Sequence, residues 1–320
     1  MYKFFFLINP ISGGAQGKVI YQFLPEIMAS LNYSEEQWRA EFTRKDGQED
    51  QIREALSHTE TLIAVGGDGT VSAVLSQLIG TEYAKTVKIG LIPLGTGNDL
   101  ARVLNLYKPY VDKGLLFLVR RLLLAEARPF DIWKVNGHIA FANYFSGGID
   151  ARIAHDFNNA RASGKFKSSS VVVNKAQYVK SFFADRSYRL KPSKMSFESR
   201  HGDTRHYDIS GYRTVIVGNI PSFASGTNPF YKSDMADGLL ELVCVRNMAQ
   251  FLLAFALGNV PALGTLVKRF CLRTHKVKSL HFEFSDGEFL QLDGEDLSGK
   301  AGNHIDIDYA CRVQILALGE

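Results

Sequence analysis

The chain has 320 residues, 46% of them hydrophobic and 22% charged, with a formal net charge of +4; this composition excludes a disordered or fibrous protein. The length predicts two domains. Three cysteines, Cys244, Cys271 and Cys311, with no C-x-x-C pair, exclude a cysteine zinc site and a disulfide framework and predict a reducing compartment.

The opening "MYKFFFLINPISGG" has an apolar run over 4–8 that is stopped by a turn, so it reads as a buried first strand and not as a signal peptide. Strand and helix patterns then alternate. Strands are predicted over 3–8, 39–43, 62–65 and 87–92. Helices are predicted over 18–28, 49–58, 70–79, from about Asn98, and over 111–124. Such alternation predicts a parallel sheet with helices on its faces.

The pattern changes at Asp131, with a boundary expected near Arg128-Pro129. The first domain is taken as 1–130, joined by the tail 306–320, and the second as 131–305. "DIWKVNGHIAFANYF" predicts a hairpin around Asn136-Gly137. Further strand pairs are expected to turn at His201-Gly202-Asp203 and at Asp286-Gly287. The second domain therefore reads as antiparallel β, with helices inserted at about 151–184 and 248–266. The longest uncharged stretch, 247–267, is interrupted by Gly258, Pro261 and Gly264 and predicts two short helices in place of a membrane span.

Charge is unevenly placed. Residues 1–130 are neutral overall, whereas 161–194 carry nine basic residues and one acid, Asp185. A run of this kind is either a solvated helical face or a surface for an anionic partner. Its aromatics, Tyr178, Phe182, Phe183 and Tyr188, form no nucleic-acid-binding motif, so no nucleic acid is expected.

Three glycine-rich turns, "INPISGGAQGK", "VGGDGTV" and "IPLGTGNDL", each follow a strand and precede a helix; "FTRKDGQ" is a weaker fourth. Backbone N–H groups at such turns bind anions, above all phosphate. In an open α/β sheet these loops gather at one edge. None matches the P-loop or the dinucleotide fingerprint. Asp68 stands inside one of them, where a bare phosphate would be repelled. A Mg²⁺ ion reverses that sign, so Asp68 implies a metal–nucleotide; the alternative is a cap for the helix starting at Thr70.

The motif "GGDGT" is shared by phosphofructokinases, NAD kinases and diacylglycerol kinase-like lipid kinases. With "NPISGG", "IPLGTGNDLAR", "DGLLELVCV" and "QLDGED" in this order, the chain resembles the diacylglycerol kinase catalytic family over essentially its whole length, and the stand-alone bacterial type in particular. The resemblance implies an α/β fold. Its N-terminal parallel-sheet nucleotide-binding domain is similar to that of phosphofructokinases and NAD kinases, and its C-terminal domain is an antiparallel β-sandwich with inserted helices, with ATP between the two. It implies ATP contacts from Asn9, Pro10, Ile11, Ser12, Gly13, Thr43, Gly66, Gly67, Asp68, Gly69, Thr70, Val71, Ser72, Thr96 and Asn98. Asp68 would organise Mg·ATP, with Asp99 and Asp131 as neighbouring carboxylates in a water network. A structural Mg²⁺ would be held by Asp234, Asp237 and the carbonyl of Leu239, although "FYKSD" after Pro229 departs from the family pattern; Asp237-Gly238 as a plain turn is the alternative.

Glu295 matches the family's general base. The residues themselves agree: Asp293-Gly294-Glu295 follows a strand, is not required for a simple hairpin, and supplies the carboxylate that phosphoryl transfer to an alcohol needs; the alternative is an exposed turn. The expected activity is an ATP- and Mg²⁺-dependent lipid kinase acting on diacylglycerol. Behind it stand a kinase for sphingoid or other lipids, an NAD kinase-like small-molecule kinase, and an inactive lipid-binding regulator. A cytoplasmic protein peripheral to an anionic membrane surface is expected, and a homodimer is left open.

Overall fold

Uninterrupted apolar runs set the two central strands of the first part of the chain, 4–8 and 61–66. The computed structural model describes every residue except Thr96, 163–186, 224–226, Tyr231, Met248, 251–252, 254–262, 269–271, Arg273 and Glu320. The chain divides into two compact units: Met1–Ile132 with Ala310–Glu320, and Trp133–Tyr309.

The first unit is built in the order β1 (Phe4–Ile8), α1 (Ser12–Ser30), β2 (Trp38–Phe42), α2 (Gln48–Ser57), β3 (Thr61–Gly66), α3 (Asp68–Ser76), α4 (Tyr83–Thr86), β4 (Lys88–Pro93), α5 (Asp99–Val103) and α6 (Tyr107–Leu123). β1 and β3 are buried along their whole length, as strands covered on both faces must be. The strands run parallel in the order β2-β1-β3-β4, and the last strand of the chain adds beside β4.

Glycines set where one helix starts, close to its expected beginning at Lys18, and break another that was expected to be continuous. In α1, Gly13, Gly14 and Ala15 are all left-handed (φ 62°, 67° and 73°), so regular right-handed helix begins only at Gln16. In α6, Gly114 breaks the helix at φ 80°.

The second unit continues with β5 (Glu126–Val135), which starts in the first unit, then β6 (Ile139–Phe141), β7 (Tyr144–Gly148), α7 (Ile149–Ala162), β8 (Lys194–Ser199), β9 (Thr204–Asp208), β10 (Thr214–Gly218), β11 (Leu240–Val245), β12 (His275–Glu283), β13 (Leu290–Leu292), β14 (Glu295–Asp296) and β15 (His304–Ala317). Neighbours are antiparallel in the order β14-β13-β7-β10-β11-β12-β15, with β8 and β9 added along β12. The strands enclose a core that includes Trp133, Phe145, Val215, Leu242, Phe282 and Ile305, and a second cluster gathers Ile149 and Ile153 of α7 with Ile216 and Val243. Arg128-Pro129 lies inside β5.

The hairpin at Asn136-Gly137 forms: both residues have positive φ (49° and 79°), and Trp133 pairs with Phe141. β8 and β9 pair across the 201–203 turn. The hairpin expected at Asp286-Gly287 does not form. The chain turns there, but β12 pairs with β8, β11 and β15, while β13 pairs with β7 and β14. Conversely, Asp293-Gly294 is itself a two-residue hairpin turn (φ 51° and 87°), with Leu292 opposite Glu295. Of the inserted helices, α7 opens the first; most of 151–184 and of 248–266 lies outside the described residues. No helix among the described residues is long and apolar enough to cross a membrane.

Candidate active site

The first unit brings the predicted loops together at the C-terminal ends of its strands. Asn9, directly after β1, donates its backbone N–H to Val65 O (2.9 Å) and its side-chain amide to Thr70 Oγ1 (3.3 Å). Its Oδ1 accepts the N–H of Ile11 at 3.2 Å. Thr43, after β2, donates its N–H to Ile8 O at 2.9 Å. Gly66 O accepts the N–H of Leu94 at 2.8 Å, which joins the ends of β3 and β4.

The two glycine loops after β3 and β4 then touch backbone to backbone. A Cβ on Gly95 would lie 2.8 Å from the Cα of Gly67, and one on Gly67 would lie 3.1 Å from the Cα of Gly95. No side chain fits in that contact, so the surface there is made of backbone. Asp68 spans the same two loops: its Oδ2 accepts the N–H of Asn98 at 2.9 Å. Asp68 is the first residue of α3, whose N-cap is Gly67, with no side-chain cap bond.

Asn98 is a clamp within the loop. It is buried and left-handed (φ 51°), its Oδ1 accepts the Gly95 N–H at 2.9 Å, and its amide N–H donates to the Gly95 carbonyl. Asp99 is buried beside it, and a Cβ on Gly97 would lie 3.1 Å from Asp68 Oδ2 and 3.7 Å from Asp99 Oδ2. Asp131 is buried, and Arg312 donates to both its oxygens, from Nε at 2.6 Å and Nη2 at 3.1 Å. Of the other predicted contacts, Val71 turns its side chain into the core, Ile11 is 77% exposed, and Thr96 lies outside the described residues.

Two positioning residues were not singled out from the sequence. A Cβ on Gly17 would lie 2.1 Å from Asn9 O, so only glycine lets α1 approach the loop; the third glycine of "SGGAQG" was its trace. Gln51 is buried and holds the β2–α2 loop, donating to Phe42 O and accepting from Arg44 N, each at 2.9 Å.

In the second unit Glu295 follows the Asp293-Gly294 turn. The carboxylate of Asp293 accepts the backbone N–H groups of Ala142, Asn143 and Tyr144 at 3.1, 2.9 and 2.9 Å. From α7, His155 Nδ1 pairs with Asp296 at 2.8 Å and Asn158 donates to Gly294 O at 3.3 Å. The turn is thus held from both sides, while the Glu295 side chain is exposed. Beneath it lies a group that sequence did not single out. Buried Asp150 accepts from Ser146, Thr214 and Gln291, and burial raises its pKa above the ordinary carboxyl value despite those donors.

Asp234, Asp237 and Leu239 do not form an open oxygen triad. Asp234 Oδ1 accepts the Ala236 N–H, and Asp237 Oδ1 accepts the Leu239 N–H, each at 3.0 Å. Asp237 Oδ2 lies 2.5 Å from the Lys276 ammonium, which is also 3.4 Å from buried Glu241. Burial pushes the Glu241 carboxyl up to about 8, against the pull of Lys276. The lysine already supplies positive charge to Asp237, so as arranged these residues do not fit a Mg²⁺ ion.

Residues 3–135 match the family described as the diacylglycerol kinase catalytic domain, and residues 140–296 match the diacylglycerol kinase accessory domain. The chain is 32% identical over 267 residues to the eye-specific diacylglycerol kinase of Drosophila melanogaster, covering 74% of this chain and 18% of that protein. It is 27% identical over 280 residues to human diacylglycerol kinase zeta, covering 74% and 28% respectively. The chain thus spans less than a third of the length of these relatives. A crystal structure of a diacylglycerol kinase from Bacillus anthracis aligns with 99% of this chain and 97% of that one, at a TM-score of 0.69 and 18% identity, a likeness of fold. The motifs, the matched domains and the shared fold agree, and the chain belongs to the diacylglycerol kinase catalytic-domain family.

Proposed function

We propose that the protein is an ATP- and Mg²⁺-dependent lipid kinase that phosphorylates the hydroxyl of diacylglycerol to give phosphatidic acid. The observation that carries this reading is the backbone contact of Gly67 with Gly95, with Asp68 bonded across it to Asn98. A glycine contact too close for a Cβ suits the near approach of a polyphosphate, and a carboxylate beside it suits the accompanying hard cation.

In this reading the first unit, 1–130 with the tail 306–320 as the sequence divided it, is the nucleotide domain, and 131–305 is the lipid domain. Asn9, Ser12, Gly13, Thr43 and Gly66 through Ser72 line the nucleotide, and Asp68 is the residue that would hold Mg²⁺. When bound, Mg·ATP supplies the phosphoryl group and offsets its negative charge. Glu295 accepts the proton of the lipid hydroxyl as that oxygen bonds to the γ-phosphorus and the bond from that phosphorus to the β–γ bridging oxygen breaks, releasing ADP. The clamped hairpin matters here, because a base must be held within hydrogen-bond reach of the proton it takes. The enzyme works at the cytoplasmic face of an anionic membrane, as a peripheral protein.

The test is incubation of the protein with radiolabelled ATP and a total lipid extract, followed by identification of the labelled lipid. Labelled phosphatidic acid is expected. A labelled sphingoid phosphate would move the acceptor, and label in a water-soluble product would overturn the lipid-kinase reading.

A further inference from the structure

The second unit carries a polar surface that none of the roles above uses. In the antiparallel pairs β12–β15 and β12–β8, Phe282 lies opposite Ile305 and Met195, and all three are core residues. Residues one step along a strand point to the opposite face. On that face His281 lies opposite Asp306 and Ser196, and Glu283 lies opposite His304 and Lys194. One ligand atom from each of His281, Glu283 and His304 lies within 4.8 Å of the others.

His281 is arranged as metal-ligating histidines usually are. Asp306 Oδ1 lies 2.6 Å from Nδ1 of His281, and Nε2 of the same ring lies 3.6 Å from Glu283 Oε1. A carboxylate on one imidazole nitrogen fixes the tautomer and turns the other nitrogen toward a cation. The His304 ring lies beside it, with centroids 6.1 Å apart and planes at 29°. Tetrahedral Zn²⁺, with bonds of about 2.0–2.2 Å, needs ligand atoms roughly 3.3 Å apart. Both Glu283 and His304 are exposed, so side-chain rotation can close the gap while the strands stay paired. Lys194 competes for Glu283 across the ladder, but it also pairs across β8–β9 with Asp208.

We propose that His281 Nε2, Glu283 and His304 bind one divalent transition-metal ion of the Zn²⁺ class, with Asp306 orienting His281. Two imidazoles and a carboxylate select borderline ions over Mg²⁺, which prefers oxygen ligands alone. The ion ties β12 to β15. It uses none of the residues assigned to the nucleotide or to proton transfer.

The experiment is calorimetric titration of the full chain with Zn²⁺, with Mg²⁺ as control, followed by imidazole ¹⁵N spectra. We expect saturable binding of one Zn²⁺. His304→Gln and Glu283→Gln should each weaken it at least tenfold, and Asp306→Asn about tenfold or more. Among the eight histidines of the chain, the signals of His281 and His304 should shift together. These variants change exposed side chains, so apo circular dichroism and melting should match the parent. Absence of saturable binding, or Zn²⁺ binding that the substitutions leave unchanged, would overturn the proposal.

Discussion

Asp68 and Asp150 show how burial and partners separate two carboxylates of the same intrinsic chemistry. Asp68 is only partly covered and accepts a backbone N–H from another loop. Removing its charge while keeping its shape, by Asp68→Asn, should lower turnover on the order of 10²-fold or more and leave the melting temperature nearly unchanged. Near-parental kinetics in that variant would show that the carboxylate is only a loop tie. Asp150 is fully buried, and desolvation raises its pKa. A carboxyl that holds its proton more tightly when folded contributes stability below its unfolded pKa near 3.8, and that contribution is lost as pH rises through the higher folded value. Asp150→Asn removes this titration. Relative to the variant, the parent should therefore become less stable as pH rises from about 4 upward. Melting curves of both proteins across pH 4–8 read this directly; a constant difference would mean that the site does not titrate with folding. Neither Asp150 nor Arg312 was legible in the sequence, because their partners are remote: Thr214 and Gln291 are 64 and 141 positions from Asp150, and Asp131 is 181 from Arg312.

In the β13–β14 hairpin Asp293 holds the turn, and the proposed function gives Glu295 the role of base. Glu295→Gln should lower kcat by about 10²-fold while Mg·ATP affinity stays nearly constant, the usual effect of losing a general base. Asp293→Ala unpairs three backbone N–H groups and should cost about 3 kcal/mol of stability, with Asp293→Asn restoring part of it. Kinetics and thermal denaturation of the three variants separate the roles; loss of ATP binding in Glu295→Gln would make Glu295 a ligand instead. This element also shows what local signals carry. The all-apolar strands 4–8 and 62–65, the Asn136-Gly137 turn and the glycine loops were readable because each rests on neighbours in sequence. Asp286-Gly287 carries the same kind of turn signal, yet its flanking strands take other partners. A positive-φ dipeptide specifies that the chain reverses; which strand lies alongside is decided by burial of Phe282 and Leu290 in the shared core. The lysine beside Asp237 was hidden for the same reason, since Lys276 comes from a strand 39 positions away.

At the scale of the molecule, charge and connectivity matter. The neutral first 130 residues offer no attraction to anionic lipid, whereas 161–194 carry a net +8, worth roughly 1 kcal/mol for each basic residue that reaches such a surface. Lys165, Lys167, Lys175 and Lys180, which lie outside the described residues, are the positions to reverse. Their joint replacement by Glu should weaken sedimentation with anionic vesicles and activity on them, while activity on a short-chain lipid in neutral detergent survives. Equal loss in both assays would assign the basic stretch to folding or ATP binding. The chain also passes between its units twice, through β5 and β15. Val313, Ile315 and Leu316 of β15 are buried in the first unit, where Gln314 and Ile315 pair with Lys88 and Ile89 of β4. At about 1.5–3 kcal/mol each, those three side chains match much of a domain's net stability. Cutting the chain after Tyr309 should therefore unfold the first unit, as loss of its cooperative melting transition would show. On the ribosome the consequence is a reversal of the usual order: the unit whose strands emerge first is the last to be complete, because its sheet gains its final strand only after the second unit has been made.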